Sequence, residues 1–463
     1  MSGKPLLIIV PLCLAVFMTG CGSSGIEFRE REETAELIPP AQDYMEELLA
    51  EHFGSPTASV AWEKLPINYH AATATVDEAG ESGSVTLANI GRTLPINEGQ
   101  QILWFVDGSA HSGQVAGFDE DLNALTVSPP AGADQNWAPP APGARLTIGP
   151  GETLQQGRLL YAEHCQHCHG VTGDGNGPTA EYLEPRPRDY RLGKFKFTST
   201  STVRKAQRDD LARIIEEGIP GTYMPSFKLL TEEESAAIVE YVRWLAMRGE
   251  TELRRIEILT LDFRAADAET QEELDEMIQE FAEAKEDDFP NDFADETEQI
   301  ADSWRVAQEE SSVVLPKTPR TPSSPESIAK GREIYLSATA KCVTCHGESG
   351  KGDGPQTMQV AKDASGQNYP VPGLHDDWGR LIEPRNLTTG IYRGGRRPLD
   401  LYRRIHSGIK GTPMTGFGTS LSDEQIWDLV NYVMSIPFED RAPGEGPFVP
   451  SESAPEATVA KSE

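Results

Sequence analysis

The chain has 463 residues, with 73 Asp and Glu against 41 Lys and Arg, for a formal net charge of −32. Its length has room for two or three domains. So acidic a chain argues against a surface built to hold nucleic-acid phosphates and instead fits a basic docking partner or simply solubility.

The first segment is a leader. Lys4 precedes an apolar run from Leu6 through Met18, too short to span a bilayer. It ends Met18-Thr19-Gly20-Cys21, which resembles a bacterial lipoprotein signal. On that reading residues 1–20 are a signal peptide and Cys21 is lipidated. The alternative is an ordinary secretory signal cleaved nearby. Both export the chain, and the lipoprotein reading tethers it to a membrane on its periplasmic side, through several acyl chains. No later segment is long and apolar enough to be a transmembrane helix.

Residues 22–149 are of a different kind. An amphipathic helix is expected over 41–53, with Tyr44, Met45, Leu48, Leu49 and Phe53 on its apolar face. Val85–Ile90, Gln101–Val106 and Leu125–Val127 read as strands, punctuated by Asp107-Gly108 and by the run Pro139–Pro142. A small β-subdomain follows from this, serving as a docking surface or as a cover for the unit after it.

Chemistry enters at Cys165-Gln166-His167-Cys168-His169 and again at Cys342-Val343-Thr344-Cys345-His346. Each reads C-x-x-C-H, the pattern of covalent haem attachment. The two cysteines form thioethers and the adjacent histidine becomes an axial ligand of the iron. Structural zinc needs four ligands from paired half-sites, and the second motif has no neighbouring His or Cys to supply them. A disulfide would leave the following histidine unexplained both times. Of the six cysteines, four lie in the motifs, and Cys13 and Cys21 lie in the leader. None is left for a structural disulfide.

The surroundings of the motifs repeat as well. Gly170-Val171-Thr172-Gly173-Asp174-Gly175-Asn176-Gly177-Pro178 matches the run from Gly347 to Pro355. Gly218-Ile219-Pro220-Gly221-Thr222-Tyr223-Met224 matches Gly408-Ile409-Lys410-Gly411-Thr412-Pro413-Met414. Thr231-x-x-Glu234 and Ser422-x-x-Gln425 are capping boxes, each opening an amphipathic helix. Between the copies, 249–324 is an acidic helical connector, expected to pack lightly on a haem unit, that ends in a Pro/Ser/Thr linker from Pro316 to Pro325. Residues 439–463 have the composition of a disordered tail.

With these residues in hand, 150–248 and 325–438 resemble class I cytochrome c domains. The resemblance implies a helix leading into each motif, a second helix crossing it, and a loop offering a methionine to the iron. It implies two covalently bound haem c groups, one on Cys165 and Cys168 and one on Cys342 and Cys345. It pairs His169 with Met224 and His346 with Met414 as metal ligands. It also implies a haem propionate bound by an arginine of the Glu-Pro-Arg strings, Arg188 and Arg385. The second unit carries an insertion around Ala361–Arg380, and Met358 just before it belongs to the same inserted region, with no counterpart in the first unit. Met247 and Met434 are read as core residues, and His164, His167, His375 and His406 as exposed side chains. The fold expected is mainly α: two tandem cytochrome c-like helical domains, preceded by a small β-rich region and separated by the acidic helical linker.

The function implied is electron transfer in a respiratory chain by a carrier that is not itself an enzyme. Its partners would be a quinol-oxidising complex or dehydrogenase as donor and a terminal oxidase or soluble cytochrome as acceptor. Two alternatives stand beside it. One is a di-haem peroxidase-type enzyme with one labile haem, its pocket built from the insertion with His375 and Trp378. The other is a haem-bearing sensor or subunit of a larger membrane complex.

Overall fold

The computed structural model describes residues 26–133 and 137–439. Cys21 and the tail from 440 onward lie outside them. Helix α1 (Pro39–Phe53) is followed by a minimal hairpin, β1 (Gly54–Ser55) with β2 (Ala58–Ser59). Next come β3 (Ala72–Ala79), β4 (Ser84–Arg92), β5 (Gln101–Val106), β6 (Ser109–Asp119), β7 (Ala124–Ser128) and β8 (Arg145–Ile148). They close into an antiparallel barrel in the order β3-β4-β7-β6-β5-β8. Alternate residues, among them Val85, Leu87, Ile102, Trp104, Val115 and Leu125, fill its interior. The three expected strands are β4, β5 and β7. The others carry weaker patterns: β6 is broken by Gly113 and Gly117, and β3 is rich in Ala and Thr.

Each haem-motif unit is organised by a helix crossing. In the first, α2 (Glu152–His164) leads into the motif turn α3 (Gln166–His169), with α4 (Arg208–Glu217) beyond it, and packs on α5 (Glu232–Asp262). A Cβ on Gly157 would sit 2.1 Å from the carbonyl oxygen of Ala237, so only glycine allows that approach. The cap of α5 forms as expected, with Thr231 Oγ1 accepting from the Glu234 amide at 3.2 Å.

The acidic connector packs more closely than its charge suggested. Helix α5 runs past 248 to Asp262, and α6 (Gln271–Asp287) and α7 (Phe289–Ala307) fold back against it and α1. Phe263, Phe281 and Phe289 cluster with Tyr44 of α1, and Trp304 is fully buried. Arg255 and Glu296 form a buried ion pair at 2.7 Å. The acidic residues lie on one face of these helices and an aromatic seam on the other, so the helices extend the core of the first unit.

The second unit repeats the plan. Helix α8 (Pro325–Leu336), the motif turn α9 (Val343–His346), α10 (Pro398–Ser407) and α11 (Asp423–Ser435) correspond to α2 through α5, and β9 (Leu374–His375) pairs with β10 (Leu381–Ile382) in the insertion. Gly331 meets the Asp428 carbonyl as Gly157 meets that of Ala237, with a Cβ placed 2.1 Å from the oxygen. The proline-rich linker lies along α11, where Trp427 Nε1 donates to Thr318 O at 3.1 Å and Arg320 Nη2 to Asn431 Oδ1 at 2.7 Å.

The two units dock through polar contacts. Lys410 Nζ donates to Thr198 Oγ1 and Thr200 Oγ1, both at 2.8 Å, and to Arg204 O at 2.6 Å. Arg380 Nη1 donates to Pro187 O at 2.9 Å. Arg213 of α4 faces Asp400 of α10 at 3.5 Å, and Lys194 pairs with Asp377. The architecture is therefore two helical units plus a closed β-barrel. Among the described residues no helix is long and apolar enough to cross a membrane.

Candidate functional site

The two motif turns sit at the ends of α2 and α8, each fixed by the same pair of hydrogen bonds. Tyr161 Oη donates to Gly170 O at 2.8 Å, and Tyr335 Oη to Gly347 O at 2.6 Å. Both tyrosines are buried. His169 Nδ1 lies 3.2 Å from Arg188 O, and His346 Nδ1 lies 3.2 Å from Arg385 O. A carbonyl can only accept, so each Nδ1 carries the proton and each Nε2 keeps a free lone pair, as an iron ligand requires. Burial pushes the His169 pKa down to about 4 and lowers that of His346 too, which holds both rings neutral. Tyr190 stacks on His169 with ring centroids 4.7 Å apart.

No disulfide joins the four motif cysteines. Burial raises the Cys165 and Cys342 thiols to about 12. Among the described residues no group of three or more His, Cys, Asp or Glu is placed to hold a metal ion. That arrangement does not suit structural zinc.

The methionine loops are likewise duplicates. The amide of Ile219 donates to Met224 O at 3.1 Å and that of Ile409 to Met414 O at 2.9 Å. Thr222 Oγ1 accepts from the Met224 amide at 3.1 Å, and Thr412 Oγ1 from the Met414 amide at 3.3 Å. The Gly-Thr-x-Met string thus folds into a small self-bonded turn that presents the methionine.

All these elements converge on one continuous cavity of about 820 Å³. Its walls carry both C-x-x-C-H motifs, Met224 and Met414. Met247, Met358 and Met434 do not line it: Met247 is core, Met434 packs partly buried on the second core, and Met358 is exposed. No barrel residue lines it either, so the barrel does not wall this cavity.

A haem fits these walls on two further observations. Although the chain is strongly acidic, the lining includes Arg186, Arg188, Lys196, Lys341, Arg385, Arg393 and Arg404 against Glu184, Asp210 and Glu383. A cationic lining suits a guest that brings its own carboxylates. Moreover, Nε, Nη1 and Nη2 of Arg188 are all buried without a partner among the described residues. An unpartnered buried guanidinium is costly, and a carboxylate in the cavity would satisfy it.

The two arginines singled out in the sequence differ. Arg188 is covered, whereas Arg385 is more open and donates through Nε to Ile391 O at 2.8 Å. The histidine expectations need correction. His167 is exposed, but His164, His375 and His406 are half-buried: His375 and His406 stack on Tyr369 and Tyr402, and the His164 ring lies tilted against Phe227. Neither His375 nor Trp378 lines the cavity. The sequence did not reveal Arg393, Arg404 or Lys410. Of these, Arg404 and Lys410 have aligned partners in the first unit that are not the same residue, so the repeat hid them.

The family model for cytochrome c matches residues 154–246 and 328–437. No curated protein matches this chain. Among solved structures, a chain of the Kuenenia stuttgartiensis reducing HAO-like protein complex Kustc0457/Kustc0458 is similar, at 26% identity over 61% of this chain and 96% of that one. The TM-score is 0.43, too low to support an inference about shared architecture.

Proposed function

We propose, from the premise that this protein is a c-type cytochrome with two cytochrome c domains, that it is a di-haem electron carrier. On this reading Cys165 and Cys168 hold one haem and Cys342 and Cys345 the other. His169 and Met224 would hold the iron in the first unit, and His346 and Met414 in the second. Bound haem supplies the one-electron couple. The chain's own residues attach it, orient the two imidazoles through the Arg188 and Arg385 carbonyls, keep water out with a buried lining, and meet its carboxylates with cations. Two protein ligands on each iron would leave no open site for a substrate, which is what a carrier needs and a peroxidase does not.

The observation that supports this reading most is the duplication inside one cavity: two matched histidines and two matched methionine turns. Export by the leader and a lipid on Cys21 would hold the protein on the periplasmic side of a bacterial membrane. There a quinol-oxidising complex or a dehydrogenase would donate electrons, and a terminal oxidase or a soluble cytochrome would accept them.

The test is the optical spectrum of the reduced protein with and without carbon monoxide. An unchanged spectrum is expected. Binding at one haem would refute double ligation there and favour the peroxidase-type or sensor alternative.

A further inference from the structure

The insertion in the second unit reaches across to the first. Trp378 lies against Arg188, whose Cζ is 4.0 Å from the centroid of the indole ring. Both touch the methionine loop of the second unit: a Cβ on Gly411 would lie 2.6 Å from the Trp378 ring and 3.0 Å from Arg188 Nη1. The segment around Trp378 is held from both sides. The Asp377 amide donates to Gly411 O at 3.2 Å, and Arg380 Nη1 donates to Pro187 O, next to Arg188, at 2.9 Å.

The polar groups here are unusual. The three guanidinium nitrogens of Arg188 and the indole Nε1 of Trp378 are all buried with no partner among the described residues. The nearby carboxylates are engaged elsewhere. Asp189 pairs with Arg191 at 2.9 Å, and Asp376 Oδ1 accepts from the amides of Trp378 and Arg380, both at 3.1 Å. The first unit has no counterpart of Trp378. Arg385, the equivalent of Arg188, has its own carbonyl partner and no ring over it.

We infer that Trp378 acts in trans as a positioning residue, seating the Arg188 guanidinium, shielded from water, on the carboxylate edge of the haem held by His169. This rests on the two-haem reading above. The consequence is asymmetry between two otherwise matched sites. A cation held in a dry setting favours the reduced iron, which carries one positive charge fewer, and it does so more strongly than a solvated one. The first haem is therefore the higher-potential centre, and part of its potential is set by the second unit.

The experiment is an optical redox titration of the full-length protein loaded with haem, comparing wild type with Trp378→Ala, Trp378→Phe and Arg188→Gln. Wild type should titrate in two steps. Trp378→Ala should lower only the upper step, by about tenfold in its reduction equilibrium, equivalent to about 59 mV for one electron. Arg188→Gln should lower the same step at least as far, and adding Trp378→Ala to it should change little more. Trp378→Phe, which keeps a ring on the guanidinium, should retain most of the wild-type potential. Two intact haems with neither step moved, with both moved equally, or with a Trp378→Ala shift that persists without Arg188 would overturn the inference alone. A wild type without two covalent haems would overturn the two-haem reading and the inference with it.

Discussion

Replacing Gly331 by alanine tests whether the helix crossing limits the stability of the second unit. The added Cβ would stand 2.1 Å from Asp428 O and 2.7 Å from Tyr432 Cβ. Ordinary contacts between such atoms are near 3.5 Å, so α8 and α11 must part by roughly 1 Å. Overpacking typically costs about 1–3 kcal/mol, and a clash with backbone atoms that cannot rotate aside falls in the upper part of that range, about 2–3 kcal/mol. The better helix propensity of alanine offsets about 1 kcal/mol of that. The net loss, about 1–2 kcal/mol, should lower the urea midpoint by about 0.5–1 M at a slope of about 2 kcal/mol/M. Urea unfolding of the loaded protein, followed by haem absorbance, measures it. Lys330→Ala, on the exposed face of the same helix, is the control and should leave the midpoint nearly unchanged. A Gly331→Ala midpoint equal to or above wild type would refute the argument that contact between backbones fixes this crossing.

Tyr161→Phe strands the buried Gly170 carbonyl and should cost about 1–3 kcal/mol, seen as a lower melting temperature of the first unit, with Tyr335→Phe doing the same to the second. Met224→Ala and Met414→Ala should each open one site, so that each variant binds one equivalent of carbon monoxide and the double variant two. Lys410 adds a pH dependence: burial pulls its pKa from 10.5 down to about 7. The folded protein thus releases this proton above about pH 7, while the unfolded chain keeps it until near pH 10.5. Stability should therefore rise with pH across that window, with protonation of the buried amine the cost at the low end. Denaturation at pH 7 and pH 9 checks this, and Lys410→Met should have the flatter profile of the two proteins.

The haem units were largely legible because their chemistry is local. Two cysteines and a histidine in five residues, capping boxes and Gly-Thr-x-Met turns are short strings whose geometry is set by nearby backbone bonds, such as Thr222 Oγ1 to the Met224 amide. The need for glycine at 157 and 331 was less apparent, since the atoms that forbid a Cβ, Ala237 O and Asp428 O, lie far along the chain. Periodicity found the strands β4, β5 and β7, but closure of the barrel depended on β3, β6 and β8, whose faces are too mixed to stand out alone. Charge hid the aromatic seam of α6 and α7, because a helix buries one face whatever its mean composition.

By itself, then, the sequence determined the local elements of the candidate site: attachment motifs, imidazoles and methionine turns fixed by contacts within a few positions. Only the tertiary structure decided how the two units meet. It merged their clefts into one cavity and laid Trp378 of the second unit on Arg188 of the first, leaving that guanidinium buried without a partner among the described residues while its counterpart donates to a carbonyl. Contacts between residues some 190 positions apart depend on the docking of whole surfaces, and no local pattern encodes which side chain a docked surface will bury.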